Sequence, residues 1–113
     1  MSVITTHVLD TSLGRPAEGV SVRLDVLTDD GSFLTLTEQS TNADGRIPNL
    51  LPRGALEART YRLSFDTGAY FSALDRPSFY PWVDVVFRVS YPQQHHHVPL
   101  LLNPYGYSTY LGS

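Results

Sequence analysis

The chain has 113 residues, of which 42% are hydrophobic and 17% charged, enough for one globular domain with a modest core and too apolar for a disordered segment. Its net charge of −3 offers no basic field to nucleic acid or to an anionic membrane, and the absence of cysteine removes disulfides and thiolate metal sites. The opening Met-Ser-Val-Ile-Thr-Thr-His has no charged leader region, no apolar run could span a bilayer, and the ending is not Ser-Lys-Leu, so the expectation is a cytoplasmic protein with no membrane partner.

Val3 to Leu9 reads as a first strand, with Thr5, His7 and Leu9 on one face and Thr6 and Val8 on the other. The stretch Asp10 to Gly19 is dense in turn formers and reads as a loop. Val20, Val22, Leu24 and Val26 then alternate with polar residues, the pattern of a half-buried strand. Asp29-Asp30-Gly31-Ser32 is a hairpin turn, and Phe33 to Thr41 is the returning strand, with Leu34 and Leu36 expected on one face. Thr41 to Asn49 is a polar loop that presents Arg46. Arg59 to Asp66 alternates again. Thr67 to Leu74 is the one plausible helix, with Thr67 as its cap and Arg76-Pro77 as its stop. Trp82 to Val89, His96 to Leu102 and Tyr107 to Leu111 complete the strands.

About seven short strands spaced by roughly ten residues predict an antiparallel β-sandwich. There is no βαβ alternation, phosphate-binding loop or tandem repeat. Pro99 cannot donate to a ladder, which points to an edge, a bulge or a strand facing another subunit. The last nineteen residues end in strand-like sequence, so that end is expected to be tied into a sheet or an interface.

Few groups could do chemistry: His7, the triplet His95-His96-His97, Arg46, and Tyr110 with Ser113. Alternation puts His95 and His97 on one face and turns His96 the other way. Two imidazoles on one face would bind zinc only with help from His7 or a second chain. With no cysteine and no serine in an elbow motif, a water nucleophile suits what the chain offers, and a neutral imidazole suits its deprotonation.

Three segments carry a resemblance: His7 to Ala17 (HVLDTSLGRPA), Thr41 to Arg46 (TNADGR), and His95 to Ser113 (HHHVPLLLNPYGYSTYLGS), with Phe79-Tyr80-Pro81 fitting between helix and strand. In this order and spacing they resemble the 5-hydroxyisourate hydrolases, the transthyretin-like enzymes of urate breakdown, from residue 3 to the last. The resemblance implies one transthyretin-like antiparallel β-sandwich domain of seven to eight strands with one short helix, over residues 1–113. It also implies a homotetramer, a dimer of dimers, whose sites lie at the dimer–dimer interface and are lined by the carboxy-terminal segment. The implied reaction is hydrolysis of 5-hydroxyisourate by water attack on a ring amide carbonyl, with no cofactor and no metal. Family roles fall on His7, Arg46 and His97 as catalytic residues, and on His7, Arg46, Tyr110 and Ser113 as substrate-binding residues. His95 becomes a supporting residue, and His96 is expected to face outward with little consequence.

One residue departs from the family pattern. Where the family ends Tyr-Arg-Gly-Ser, this chain reads Tyr110-Leu111-Gly112-Ser113, which removes a permanent cation and its five donors. Loss of a charged hydrogen bond in a dry site would cost about 1.5–3 kcal/mol, whereas loss of a pair at a wet interface would cost under about 1 kcal/mol. The alternative function is therefore a transthyretin-like binding protein for a small ligand, with weak or no hydrolysis because of Leu111.

Overall fold

The computed structural model describes residues 3–51 and 56–113. In chain order it contains β1 (Ile4–Asp10), β2 (Arg15–Pro16), β3 (Ser21–Leu27), β4 (Phe33–Ser40), β5 (Arg46–Ile47), β6 (Thr60–Phe65), α1 (Thr67–Ala73), β7 (Val83–Arg88), β8 (His96–Asn103) and β9 (Gly106–Thr109). The long strands fall where alternation places them. The two-residue strands β2 and β5 lie inside stretches expected to be loops, because each is too short to show a period.

Two sheets face each other. One runs β2-β1-β8-β9, with β5 also pairing to β1; the other runs β4-β3-β6-β7. Pairing is antiparallel except between β1 and β8, which run parallel in unbroken register from Ile4 opposite His96 to Asp10 opposite Leu102. Ile4, Val8, Val98, Leu100 and Leu102 turn inward and meet Val22, Leu24, Leu63, Phe65 and Val83 of the second sheet, all buried. That inner face carries most of the stabilising apolar burial, which leaves the outer face of β1 and β8 free for polar residues.

Three local expectations need correcting. Thr37 stands opposite Leu24 and Thr35 opposite Asp25, so Leu36 is the extra residue of a bulge. The bulge separates Leu36, which packs on the core, from Leu34, which is 57% exposed, and the two do not share a role. The helix is capped by Asp66, whose side chain accepts the Ala69 N–H, rather than by Thr67, which is itself helical and buried. Lastly, Pro99 lies on β8, an inner strand and not an edge. Its missing N–H shows on the β9 side. That ladder lapses after Leu100–Thr109 and resumes in the same register at His97–Gly112, leaving Tyr110 opposite the proline. The Thr109 hydroxyl donates to the Pro99 carbonyl (2.7 Å) across the lapse.

At the end of β1, the fully buried Asp10 anchors the helix. Its carboxylate accepts Tyr70 Oη (2.8 Å), Arg76 Nη1 (2.9 Å), the Ser12 hydroxyl (2.5 Å) and the N–H groups of Ser12 and Leu13. Burial by itself would raise its pKa, but these donors outweigh burial and hold it at about 2.

Candidate active site

The site is built on the outer face of β1 and β8, and its first member arrives through a turn. Asn42 Oδ1 accepts the N–H of Asp44 (2.9 Å) and of Arg46 (3.0 Å), while Gly45 N–H donates to the Asn42 carbonyl (2.9 Å). Gly45 sits at φ +73°, and a Cβ there would collide with the Val8 carbonyl oxygen. This lets the Gly45 carbonyl accept the Val8 N–H (2.7 Å), and the chain then enters β5 with Arg46 directly opposite His7. Arg46, expected in a loop, is held in a strand pair.

The second part comes from β8. The parallel register sets His97 opposite Thr5 and Pro99 opposite His7, so alternation gathers Thr5, His7, His95 and His97 on one face. The Thr5 hydroxyl lies 2.7 Å from His97 Nδ1 and 2.8 Å from His95 Nε2, bridging the two rings, whose centroids are 6.2 Å apart. Sequence reasoning missed Thr5. The signal was present, a hydroxyl two residues before His7 on the same face of a strand, but a threonine in a strand is ordinary β-sheet composition.

Both histidines next to Arg46 are biased toward neutrality. Burial lowers the pKa of His7 first and the Arg46 charge lowers it further, with the backbone and carboxylate of Asp44 pulling weakly the other way. His97 is lowered by burial, then by Arg46, and then by His95 and His7. The face therefore offers two unprotonated imidazoles and a permanent cation at neutral pH. Those groups can accept a proton from water and stabilise a developing oxyanion.

The remaining expected residues lie around this face rather than in it. The segment after β9 returns to His97: Gly112 N–H donates to the His97 carbonyl (2.8 Å), and a Cβ on Gly112 would stand 2.6 Å from His97 Cδ2. Glycine thus lets the backbone lie on the imidazole. Tyr110 is 56% exposed and, among the described residues, has no hydrogen bond to His7, Arg46 or His97. Together with Leu111, 75% exposed, it borders a separate cavity of about 440 Å³ between β7 and the β8–β9 pair, beside Val85, His96 and Val98. Ser113 is exposed. His96 corrects its expectation: it turns away from His95 and His97 as alternation requires, yet that direction leads inward, and the ring is 8% exposed with Nδ1 2.9 Å from the Gln94 carbonyl. Among the described residues, no three His, Asp or Glu side chains converge as ligands of a metal would.

Comparison with known proteins places the whole chain in a family. Residues 4–112 match the model of the HIUase/Transthyretin family. The chain is 46% identical to 5-hydroxyisourate hydrolase of Mus musculus over 113 residues, covering 99% of this chain and 96% of that protein. Its fold matches the structure of Klebsiella pneumoniae 5-hydroxyisourate hydrolase with a TM-score of 0.87 at 40% identity, covering all of both chains. It also matches transthyretin from Sparus aurata with a TM-score of 0.92 at 31% identity, covering 99% of this chain and 97% of that one. With the whole sandwich and its outer-face residues inside the matched range, the chain belongs to the HIUase/Transthyretin family.

Proposed function

We propose that this protein is a 5-hydroxyisourate hydrolase of urate catabolism, acting in the cytoplasm without a cofactor. The observation that carries the reading is the pairing of Arg46 with His7 on a face shared with His97. Water held by His7 and His97 loses a proton to an imidazole as its oxygen adds to the ring amide carbonyl. Arg46 neutralises the charge that develops on that carbonyl oxygen. Collapse of the adduct breaks the C–N bond, the ring nitrogen takes a proton, and 2-oxo-4-hydroxy-4-carboxy-5-ureidoimidazoline is released. Tyr110 and Ser113 bind the substrate from the segment that borders the face.

The working form in this reading is a homotetramer, a dimer of dimers, with the face completed by a second copy. Two features support it. His7, His97 and Arg46 lie on an open sheet surface and not in the cavity beside β7, and among the described residues the edge strands β7 and β9, like β4 at the other side of its sheet, each leave one edge unpaired. A specific observation favours a second reading, a small-ligand carrier of transthyretin type: Leu111 presents apolar surface where the family pattern has arginine. Against it, Leu111 borders the cavity beside β7, apart from the pairing of Arg46 with His7.

The deciding experiment generates 5-hydroxyisourate from urate with urate oxidase and follows its ultraviolet decay. The protein should accelerate that decay far above the spontaneous rate, and His7→Ala or His97→Ala should lower kcat by about 10²–10⁴-fold with the circular dichroism unchanged. Decay at the spontaneous rate that Leu111→Arg restores would identify Leu111 as a crippling substitution. Spontaneous decay in both proteins would favour the carrier.

A further inference from the structure

The bridging hydroxyl of Thr5 has a consequence for proton movement. Among the described residues the Thr5 hydroxyl has no partner other than the two imidazole nitrogens at 2.7 and 2.8 Å, so to use its single proton it donates to one and accepts an N–H from the other. In one arrangement His97 gives its Nδ1–H to Thr5, Thr5 gives its proton to His95 Nε2, and His95 carries its own proton on Nδ1. In the other, His95 gives its Nε2–H to Thr5, Thr5 gives its proton to His97 Nδ1, and His97 carries its proton on Nε2. The neutral rings therefore share one tautomer, both Nδ1–H or both Nε2–H, and change together. His97 Nε2, the nitrogen not used by Thr5, is a lone pair in the first state and a donor in the second.

We propose that Thr5 is a positioning residue that couples His95 to His97 as a two-state proton relay, making His97 first the base and then the acid of the hydrolysis. The proposal rests on the reading of His97 as the proton acceptor. As the water oxygen bonds to the carbonyl carbon, one water O–H bond breaks and its proton goes to His97 Nε2, while the carbonyl π pair moves onto oxygen. The Nδ1 proton of His97 passes to Thr5 Oγ1, and the proton Thr5 held passes to His95 Nε2. His97 is neutral again with its proton on the substrate side, and the positive charge rests on His95. When the C–N bond breaks, His97 Nε2–H protonates the departing nitrogen and the two transfers reverse, so the unit returns to its starting state.

Geometry favours moving the charge outward. His97 is half-buried against Gly112 and faces Arg46 and His7, where an imidazolium would meet a fixed cation at short range. His95 lies two residues further along the chain from the Arg46–His7 pair than His97 does, on the far side of Thr5, and it is the more exposed of the two rings in the single chain. The sequence reading gave His95 a supporting role with no stated task; the hydroxyl bridge supplies one.

The test combines ¹⁵N imidazole spectra of the substrate-free protein with steady-state kinetics. In the wild type and in Thr5→Ser, the Nδ1–H fractions of His95 and His97 should be equal. In Thr5→Val, of the same shape but without the hydroxyl, they should differ. Thr5→Val should lower kcat about ten- to a hundredfold with KM changed less than about threefold, and Thr5→Ser should stay within about threefold of the wild type. Unequal fractions in the wild type, or a Thr5→Val enzyme with wild-type kcat, would overturn the relay. His97→Ala separates the two levels: full activity there removes the reading of His97 as the base, whereas an inactive His97→Ala beside a fully active Thr5→Val removes the relay alone.

Discussion

In the proposed reaction Arg46 serves the site twice, by biasing the imidazoles and by contacting the oxyanion, and the two services can be measured apart. Its charge stands opposite His7 and disfavours a second positive charge on either His7 or His97, which is why burial and Arg46 together hold both rings below the ordinary histidine value. Remove that charge and both pKa values rise, so at a given mildly acidic pH a larger fraction of each ring is protonated and unable to accept a proton. Arg46→Gln should therefore move the acid limb of kcat/KM to higher pH, toward about 6.5. On the plateau above that limb the same variant should still be slower by about 10²–10³-fold, because the oxyanion contact is gone. A pH–rate profile from pH 5 to 9 reads both effects. An acid limb that stays in place would mean that the guanidinium does not act on the imidazoles.

At the scale of elements, the turn from Asn42 to Gly45 decides where Arg46 stands. Gly45→Ala must force a side chain into left-handed backbone and against the Val8 carbonyl, so it should destabilise the fold by about 1–3 kcal/mol. It should also lower kcat/KM at temperatures where the variant is fully folded. Thermal melts and kinetics on the same sample separate these effects, and an unchanged kcat/KM would mean that β5 does not position the arginine. This turn also marks how far the sequence could be read. Long strands such as β3 and β6 alternate over six or seven residues and declare themselves, as does the segregation of His95 and His97 from His96. A two-residue strand has no period, so Arg46 reads as a loop residue and only the register with His7 reveals it. Thr5 was equally hidden, since its importance lies in two rings 90 and 92 residues away. Alternation identified the face to which His96 turns but could not say that this face is the core. The roles proposed for His7, Arg46, His97 and Tyr110 come from family resemblance, not from the physics of the chain.

The whole molecule depends on a charge that never meets water. Asp10 has a folded pKa of about 2, below its ordinary value near 3.9, so its contribution to stability is complete above about pH 4 and is lost as the pH falls through 2. Protonation there releases Arg76 and loosens Tyr70, the two contacts that hold the helix to the end of β1. Asp10→Asn leaves Arg76, with its side chain only 22% exposed, beside a neutral group, and should destabilise the protein by about 2–4 kcal/mol at pH 7. Urea melts between pH 7 and 2 should show a shallower fall in stability below pH 4 for Asp10→Asn than for the wild type. Parallel curves would place the acid sensitivity elsewhere.

The parallel pairing of β1 with β8 also sets when the chemistry can first exist. During synthesis His7 and then Arg46 emerge early, and the turn at Gly45 can bring them together while the strand that carries His95 and His97 is still unmade. His95, His97 and their link to Thr5 wait for a strand some ninety residues downstream, which must lie alongside β1 in the same direction and so cannot arrive through a simple hairpin. Closing so long a loop is slow relative to forming local turns. A nascent or partly refolded chain therefore holds half of a site and none of the relay, and recovered turnover reports the last large step of folding rather than the first.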